Sequence, residues 1–206
     1  MKKIVLASGN GGKLREFSAM FSRHFNDQPI EIIPQNQLNV REAEETGLSF
    51  VENAILKARN ASRQTGLPAL ADDSGIEVDA LNGAPGIYSA RYAQRCGYQG
   101  AEQGDAANNA MLLQALTGVA SEQRSARFQC VLVYLRHADD PTPQVFQGSW
   151  EGHIVLQPDG NEGFGYDPLF YVDSEQCTAA ALTKEQKNRI SHRGVAMKKL
   201  TENIRF

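Results

Sequence analysis

The chain opens with a short apolar run, Lys3 to Ala7, that leads into the glycine-rich stretch SGNGGK. This order predicts a strand, a tight loop and then an amphipathic helix. A chain that begins in this way is expected to pack helices against a sheet, as in the α/β class of folds. The apolar residues at helical spacing that predict the helix are Leu14, Phe17, Phe21 and Phe25.

The next hundred residues continue the alternation of strands and helices. Ile30 to Ile33 predicts a second strand. Ser49, with Glu52 three residues later, is typical of a capping box and predicts a helix that runs to about Thr65. The run ALADD predicts a buried strand that ends in two acids, and EVDAL predicts that a strand resumes beyond Ser74.

Strands cluster in the second half of the chain. A helix is expected from about Ala106 to Leu116, a long strand from Ala126 to His137, and a hairpin-like piece from Gln144 to Leu156. Thr183 and Gln186 predict the cap of a final helical region. The pattern favours a mixed α/β fold, a sheet with flanking helices, in one domain that spans residues 1–206.

Composition excludes several classes of protein. The 206 residues are 41% hydrophobic and carry a formal net charge of -3, so the basic excess typical of nucleic-acid binding is missing. No apolar run approaches the roughly 20 residues of a membrane span, and the first residues do not predict a signal peptide, so we expect a cytoplasmic protein. Cys96, Cys130 and Cys177 are odd in number, lie far apart and show no C-x-x-C spacing, so the sequence predicts neither a disulfide framework nor a zinc site.

The stretch SGNGGK has the features of a phosphate-binding loop, because backbone N–H groups at the start of a helix attract anions. It matches neither a Walker A motif nor G-x-G-x-x-G, both of which need other residues at Leu14. A glycine-rich turn that caps a helix is the alternative interpretation. The loop residues are Ser8, Gly9, Asn10, Gly11, Gly12 and Lys13.

Two adjacent acids, Asp72 and Asp73, are the second candidate feature. Adjacent residues of a strand point to opposite faces, so one carboxylate can bind a metal while the other orients a neighbour. Carboxylates beside a phosphate require a hard cation between them, which predicts Mg²⁺. Glu45, in the loop EETG, is a further candidate ligand. The alternative for Asp72 and Asp73 is a turn with an Asx cap, and the alternative for EETG is a solvated loop.

The motif GFGYDP places the aromatic residue Phe164 between two glycines, where its ring can stack on a base. Lys187, His192 and Arg193 are candidate donors for phosphate or keto oxygens. A tight turn with a buried ring, and an exposed helix surface, are the alternatives for these two clusters.

In their order along the chain, the motifs SGNGGK, EETG with FVENAILKA, ADDSG, GAPGIYSARY, GFGYDP and SHRG closely resemble the inosine triphosphate pyrophosphatase family, in particular its bacterial members that act on dITP and XTP. The resemblance spans nearly the whole chain. It implies an elongated mixed α/β fold with two lobes around a nucleotide cleft, and a homodimer. It also implies Mg²⁺-dependent cleavage of ITP, dITP and XTP to the nucleoside monophosphate and pyrophosphate, which removes them from the nucleotide pool before incorporation into DNA or RNA.

The same resemblance assigns roles to individual residues. Ser8, Asn10 and Lys13 match the triphosphate loop, and Lys57 matches a lysine that reaches toward the phosphates. Glu45 and Asp73 match metal-binding acids, with Asp72 as a weaker match; Asp73 also matches the water-activating position and Ser74 a substrate contact. Base recognition is matched by Phe164, Gly165, Tyr166, Asp167, Lys187, His192 and Arg193. The first helix with its following loop, and the segment 91–109, are longer than the family pattern.

Other functions remain as alternatives. A Maf-like pyrophosphatase shares the loop and the acids but acts on other modified nucleotides, and GFGYD with SHRG argue against it. A nucleotide-binding module without activity does not need a water-activating acid beside a metal. RNA binding ranks last, because Lys and Arg are not clustered with exposed aromatic residues.

Overall fold

The computed structural model describes residues 2–8, 17, 21 and 30–206. Phe17 and Phe21 are helical, and the rest of the predicted first helix and of its long following loop lies outside these residues. The strands are β1 Lys2–Ala7, β2 Ile30–Pro34, β3 Ala69–Val78, β4 Ser125–Leu135, β5 Gln144–Ile154, β6 Phe170–Val172 and β7 Cys177–Thr178. The α-helices are α1 Phe50–Thr65, α2 Tyr92–Arg95, α3 Gly104–Ala115, α4 Lys184–Ile190 and α5 His192–Asn203.

The seven strands form one sheet in the order β2-β1-β3-β4-β5-β6-β7. β1 runs parallel to β2 and to β3, whereas β6 runs antiparallel to β5 and to β7. The sheet is therefore mixed, and the prediction of a mixed α/β fold with flanking helices is confirmed. In the part of the chain that the structure describes, no helix is both long and apolar enough to cross a membrane.

The chain divides into two compact units. Unit 1 comprises residues 1–73, 130–148 and 193–206, and unit 2 comprises residues 74–129 and 149–192. Each unit has its own apolar core.

The core of unit 1 has two layers, because successive side chains of a strand point to opposite faces of the sheet. On one face, Leu6 and Leu70 pack with apolar residues of α5. On the other face, Ala69 and Ala71 pack with alanines of α1, such as Ala58. The small side chains allow α1 to lie close to the strands, so polar residues on its flank come within reach of the sheet.

The core of unit 2 contains a group of packed aromatic rings among aliphatic side chains. Phe128 and Trp150 stack with their ring centres 6.2 Å apart, and Phe170 contacts both rings. Leu112 and Leu116, at the end of α3, are fully buried in the same cluster. This arrangement fixes α3 and the loop before β6 in one framework.

Three predicted boundaries are wrong. β3 continues without interruption from Ala69 to Val78, so the two acids lie in mid-strand and not at its end. Its first three residues pair with β1, and after β1 ends the strand keeps its other neighbour, β4. Residues Asp79–Leu81 form a 3-10 turn instead of strand, and the hairpin-like piece is a single strand, β5, in which buried and exposed residues alternate.

Candidate active site

The two aspartates of β3 are buried and serve opposite faces of unit 1. Asp72 follows Leu70 on the face that α5 covers, and its Oδ2 lies 3.8 Å from Nε of Arg193. Asp73 follows Ala71 on the face that α1 covers, and its Oδ1 accepts a hydrogen bond from Nζ of Lys57 at 2.7 Å. The alternation of the strand thus gives each acid a different cation.

The loop after β1 begins beside these acids. Ala7, the last residue of β1, pairs with Ala71, so Ser8 follows at the register position of Asp72. Ser8 is buried. The other predicted loop residues lie outside the described residues: Gly9, Asn10, Gly11, Gly12 and Lys13.

Lys57 is carried by α1, whose start is fixed by local hydrogen bonds. The hydroxyl of Ser49 accepts from the backbone N–H of Glu52 at 3.4 Å, and the Glu52 carboxylate accepts from the N–H of Leu48 at 2.9 Å. These bonds satisfy donors that a helix N-terminus leaves open. The predicted cap at Ser49 is confirmed, and the helix places Lys57 two turns further on.

Glu45 reaches the same lysine from the loop before α1. Its Oε1 accepts from Nζ of Lys57 at 3.1 Å. The loop is tied to the helix because Asn53 accepts from the N–H of Gly47 at 2.9 Å. A Cβ at Gly47 would lie 2.6 Å from Cβ of Glu52, so the glycine of EETG is required by this close approach.

The charges of this cluster are strongly coupled. Burial by itself lowers the pKa of Lys57, but the carboxylates of Asp73, Asp72 and Glu45 outweigh it and raise the pKa above its ordinary value. Lys57 therefore stays an ammonium at neutral pH. The cluster holds positive charge beside buried carboxylates, which suits a polyanion and a cation together.

The chemistry of the donor set fits Mg²⁺ in one mode of binding. Glu45 and Asp73 contact a common ammonium and so lie close together, and carboxylates are hard oxygen donors. Among the residues in the described ranges, no group of three or more Asp, Glu, His or Cys side chains is arranged to hold a metal alone. Mg²⁺ characteristically uses one or two carboxylates together with substrate phosphates. The residues therefore fit an ion shared with a polyphosphate.

In unit 2, Asp167 organises the loop GFGYD. Its buried Oδ2 accepts from the N–H of Phe164 at 2.8 Å and from Nζ of Lys187 at 2.5 Å. Gly163 has a φ of 84°, and a side chain there would collide with the Asp167 carboxylate. Nζ of Lys187 also lies 5.1 Å from the centre of the Phe164 ring. An aromatic ring, a carboxylate and an ammonium are thus grouped at one loop.

The two rings of this loop have different surroundings. The Phe164 ring is partly exposed, whereas Tyr166 is 3% exposed and lies in the core of unit 2. The Tyr166 hydroxyl donates to the carbonyl oxygen of Ser89 at 2.8 Å, and burial raises the pKa of this hydroxyl. Tyr166 therefore fastens the loop to the core, and the Phe164 ring is the more exposed of the two.

The motif SHRG is divided between the units. His192 is buried in unit 2 and stacks on Phe128, with ring centres 4.8 Å apart and planes 11° apart. Arg193 belongs to unit 1 and lies beside Asp72. Ser74 follows Asp73 in β3 and is partly buried.

Two residues that contact the candidate site were missed by the sequence reasoning. Asp105 accepts from the N–H of Gly165 at 2.7 Å, and Asn109 donates to the carbonyl oxygen of Gly165 at 3.0 Å. Their signal in the sequence is one polar residue just before a predicted helix and another in its first turn, which is common on helix surfaces. Only their distant partner distinguishes them.

Comparisons with known proteins agree with these observations. The sequence profile of the Ham1 family matches residues 4–203. A dITP/XTP pyrophosphatase of Shigella flexneri is 57% identical over 205 residues, covering 100% of this chain and 99% of that protein. The structure of a HAM1 protein from Coxiella burnetii superposes with a TM-score of 0.87 at 48% identity, covering 98% of both chains.

A second similar structure belongs to a protein named for its activity. It is the nucleoside-triphosphatase / dITP/XTP pyrophosphatase of Mycobacterium abscessus, with a TM-score of 0.73 and 41% identity, covering 96% of this chain and 98% of the other. The resemblance inferred from the ordered motifs is thereby confirmed along the full chain. This chain belongs to the Ham1 family.

Proposed function

We propose that this chain hydrolyses the deaminated purine nucleotides dITP, ITP and XTP to the nucleoside monophosphate and pyrophosphate, with Mg²⁺ as cofactor. The observation that carries the proposal is the partly buried ammonium of Lys57 held between Glu45 and Asp73. The match to dITP/XTP pyrophosphatases over the whole chain supports the choice of substrate.

The reaction requires attack of water at the α-phosphorus. A bond forms between the water oxygen and the α-phosphorus. The bond from the α-phosphorus to the oxygen that bridges the α and β phosphates breaks, and pyrophosphate leaves. Asp73 accepts the proton of the attacking water, and Lys57 offsets negative charge on the leaving pyrophosphate. Positioning and electrostatics carry most of this catalysis, so no covalent intermediate is needed.

Mg²⁺ would be held by Glu45 and Asp73, with Asp72 as a weaker candidate, and when bound it neutralises charge on the phosphate oxygens. We also propose a second role for Asp72, which is to orient Arg193. The two residues are in contact on the face of β3 that is opposite to Asp73. The loop from Ser8 to Lys13 is proposed to bind the phosphates through its backbone N–H groups.

We assign base recognition to residues of GFGYDP and to Lys187, His192 and Arg193. Phe164 stacks on the purine, and Lys187, His192 and Arg193 supply donors for its keto oxygen. Adenine presents an amino donor and a bare acceptor where hypoxanthine presents a keto oxygen and an N–H. Each mismatched buried polar group costs about 1 to 3 kcal/mol, so two mismatches suffice for strong rejection of ATP.

A substrate panel tests this function. Pyrophosphate release is measured with Mg²⁺ and dITP, ITP, XTP, GTP, ATP and UTP. We expect kcat/KM for the three deaminated purines to exceed that for ATP by a factor of about 100 or more. Equal rates on ITP and ATP would refute the selectivity, a preference for UTP would favour a Maf-like enzyme, and release of orthophosphate would refute the cleaved bond.

We further propose a cytoplasmic homodimer, as the family resemblance implies. Sedimentation of the purified chain at micromolar concentration measures the oligomeric state. A monomer that retains full activity would contradict the dimer.

A further inference from the structure

The loop GFGYD, residues 163–167, is the loop proposed to bind the base. One of its peptide segments is held from both sides by the same helix, α3. The N–H of Gly165 donates to Oδ2 of Asp105 at 2.7 Å, and its carbonyl oxygen accepts from Nδ2 of Asn109 at 3.0 Å. Asp105 and Asn109 lie four residues apart in α3, so their side chains emerge on one face of the helix. Together they hold the two peptide groups that flank Gly165.

The position of Asp105 strengthens its bond. Asp105 lies in the first turn of α3, where the helix dipole favours a negative charge. A bond from a backbone N–H to an ionised carboxylate is stronger than one between neutral groups. The carboxylate is exposed, yet it is directed to a backbone group 60 residues away in sequence.

One atom of the Asn109 side chain is in an unfavourable environment, and the hydrogen bond to Gly165 explains why an amide occupies this position. Its Oδ1 is buried and has no hydrogen-bond partner among the described residues. An unsatisfied buried acceptor is unfavourable, and an apolar residue at this position would avoid it. The amide is therefore best explained by the donor it supplies to Gly165.

The consequence falls on Phe164. Its own N–H is held by Asp167, and the following N–H, that of Gly165, is held by Asp105. These two bonds hold the peptide groups on either side of the Phe164 Cα, so they restrict the backbone that carries the ring. Gly165 has a φ of 65°. Glycine adopts positive and negative φ about equally readily, so the residue itself does not hold the loop in this conformation.

We propose that Asp105 and Asn109, here called the Gly165 clamp, are positioning residues for purine binding that hold Phe164 in its stacking orientation. This inference rests on the proposed function, because it assumes that Phe164 stacks on the base. It assigns a role to the polar segment before and within α3, a segment that contributes no residue to the phosphate chemistry.

The clamp predicts a change in KM and not in kcat. Asp105→Ala and Asn109→Ala should each raise KM for dITP about 5- to 30-fold, the size expected for loss of one such hydrogen bond, with kcat within about twofold of the unaltered enzyme. Asp105→Asn retains an acceptor and should recover most of the affinity. Asn109→Asp, of the same size, sets a carboxylate against the Gly165 carbonyl and should be at least as impaired as Asn109→Ala.

Glu102→Ala is the matched control. Glu102 is an exposed acid just before α3 whose carboxylate binds Tyr98 and not the loop. KM for dITP should not change in this variant. A fall in kcat without a rise in KM in the clamp variants, or an equal rise in KM in Glu102→Ala, would overturn the proposal.

Hydrogen exchange separates the clamp from the proposed activity. Mass spectrometry of a peptide that covers residues 163–167 should show faster amide exchange in Asp105→Ala than in Glu102→Ala, whether or not the chain hydrolyses dITP. If the unaltered chain does not hydrolyse dITP, the proposed function fails while the exchange result still tests the clamp. Unchanged exchange in Asp105→Ala, or faster exchange with unchanged KM, would refute it.

Discussion

Asp72 and Asp73 are adjacent in sequence and have different neighbours because they occupy a strand. The strand directs Asp72 toward Arg193 and Asp73 toward Lys57. Two carboxylates that shared one face would repel each other, whereas here each has a cation within 4 Å. The pair can therefore divide its work, with Asp73 at the chemistry and Asp72 as the residue that orients Arg193.

Replacement of Asp73 by Asn tests the first of these roles. The amide cannot accept the proton of water, so kcat for dITP should fall by a factor of about 10² to 10⁴, the usual contribution of a general base. Binding of dITP, followed by calorimetry, should change much less. Asp79→Asn is the control, since Asp79 pairs with Arg127 in unit 2, and its kcat should be unaltered. Near-normal turnover in Asp73→Asn would remove Asp73 from the mechanism.

Lys57 should matter to stability as well as to turnover. Its side chain is 16% exposed and contacts two carboxylates, so Lys57→Met removes the ammonium that both of them contact. Because breaking a buried ion pair is costly, we expect a loss of about 2 to 4 kcal/mol in the free energy of unfolding. Urea denaturation measures this loss.

Lys3→Met provides the matched comparison. The Lys3 pair with Glu31 has a separation of 3.8 Å and a 54% exposed lysine side chain. Exposed pairs contribute at most about 1 kcal/mol, so this variant should unfold almost as the unaltered protein does. Similar losses in the two variants would mean that the carboxylate cluster does not depend on Lys57.

At the scale of elements, one aspartate closes the turn between β4 and β5. Asp140 is 1% exposed and accepts from Arg136 through the backbone N–H and the guanidinium, at 2.6 to 3.0 Å. It also accepts from the N–H of Thr142 at 3.0 Å. Arg59 of α1 donates to the carbonyl oxygens of Ala138 and Asp140, so the turn is fastened to the helix that carries Lys57.

This turn predicts a pH dependence of stability. The hydrogen bonds from the Arg136 guanidinium hold the pKa of Asp140 below its ordinary value, despite burial. A depressed pKa contributes stability above the unfolded value of about 3.9, and the contribution is lost as the pH falls through the folded pKa. Asp140→Asn should therefore lower stability by about 1 to 2 kcal/mol at pH 7, and the difference should narrow below about pH 4.

Thermal denaturation between pH 3 and pH 8 measures this difference. Asp139→Asn is the control, because the Asp139 side chain is 88% exposed and lies 3.7 Å from Arg63. It should follow the unaltered protein at every pH. A gap for Asp140→Asn that widens in acid would contradict the assignment.

At the scale of the whole molecule, the two units separate two kinds of chemistry. Unit 1 has a core in two layers and carries Glu45, Lys57 and the paired aspartates. Unit 2 has a core that includes the packed rings of Phe128, Trp150 and Phe170, and it carries the loop around Phe164. The cation and carboxylate groups proposed for the phosphates thus belong to one framework, and the stacking ring proposed for the base belongs to the other.

Nucleotide binding should stabilise the folded chain as a whole. With Asp73→Asn, which we expect to bind without turnover, dITP at about 100 times its Kd adds about 2.7 kcal/mol to stability. For a protein of this size, this corresponds to a rise in Tm of about 5 to 10 °C. Scanning calorimetry with Mg²⁺ measures the rise, and ATP at the same concentration is the control. An equal rise with ATP would show that base selectivity is not expressed in binding.

Much of the fold follows from short-range patterns in the sequence. The cap at Ser49, the capping box at Thr183 and the first strand are all where the local signals predicted them. The order of motifs also identified the family. These features depend on residues only a few positions apart, so the sequence contains their whole physical cause.

The boundaries of strands were predicted less well, because they depend on pairing with residues that are distant in the sequence. The Ser74-Gly75 pair suggests a break, but β3 continues from Ala69 to Val78. The strand lies between two neighbours in the sheet, β1 and β4. Pairing with a distant strand outweighs a local tendency to turn. Only the tertiary structure supplies that neighbour.

The candidate site shows the same division most clearly. By itself the sequence determined which groups carry charge, and that Asp72 and Asp73 would point to opposite faces. The tertiary structure decided which cation each acid meets, because helix packing sets which side chain lies over which face. It also decided that Asp105 and Asn109 hold Gly165, at separations of 60 and 56 residues, which no local spacing encodes.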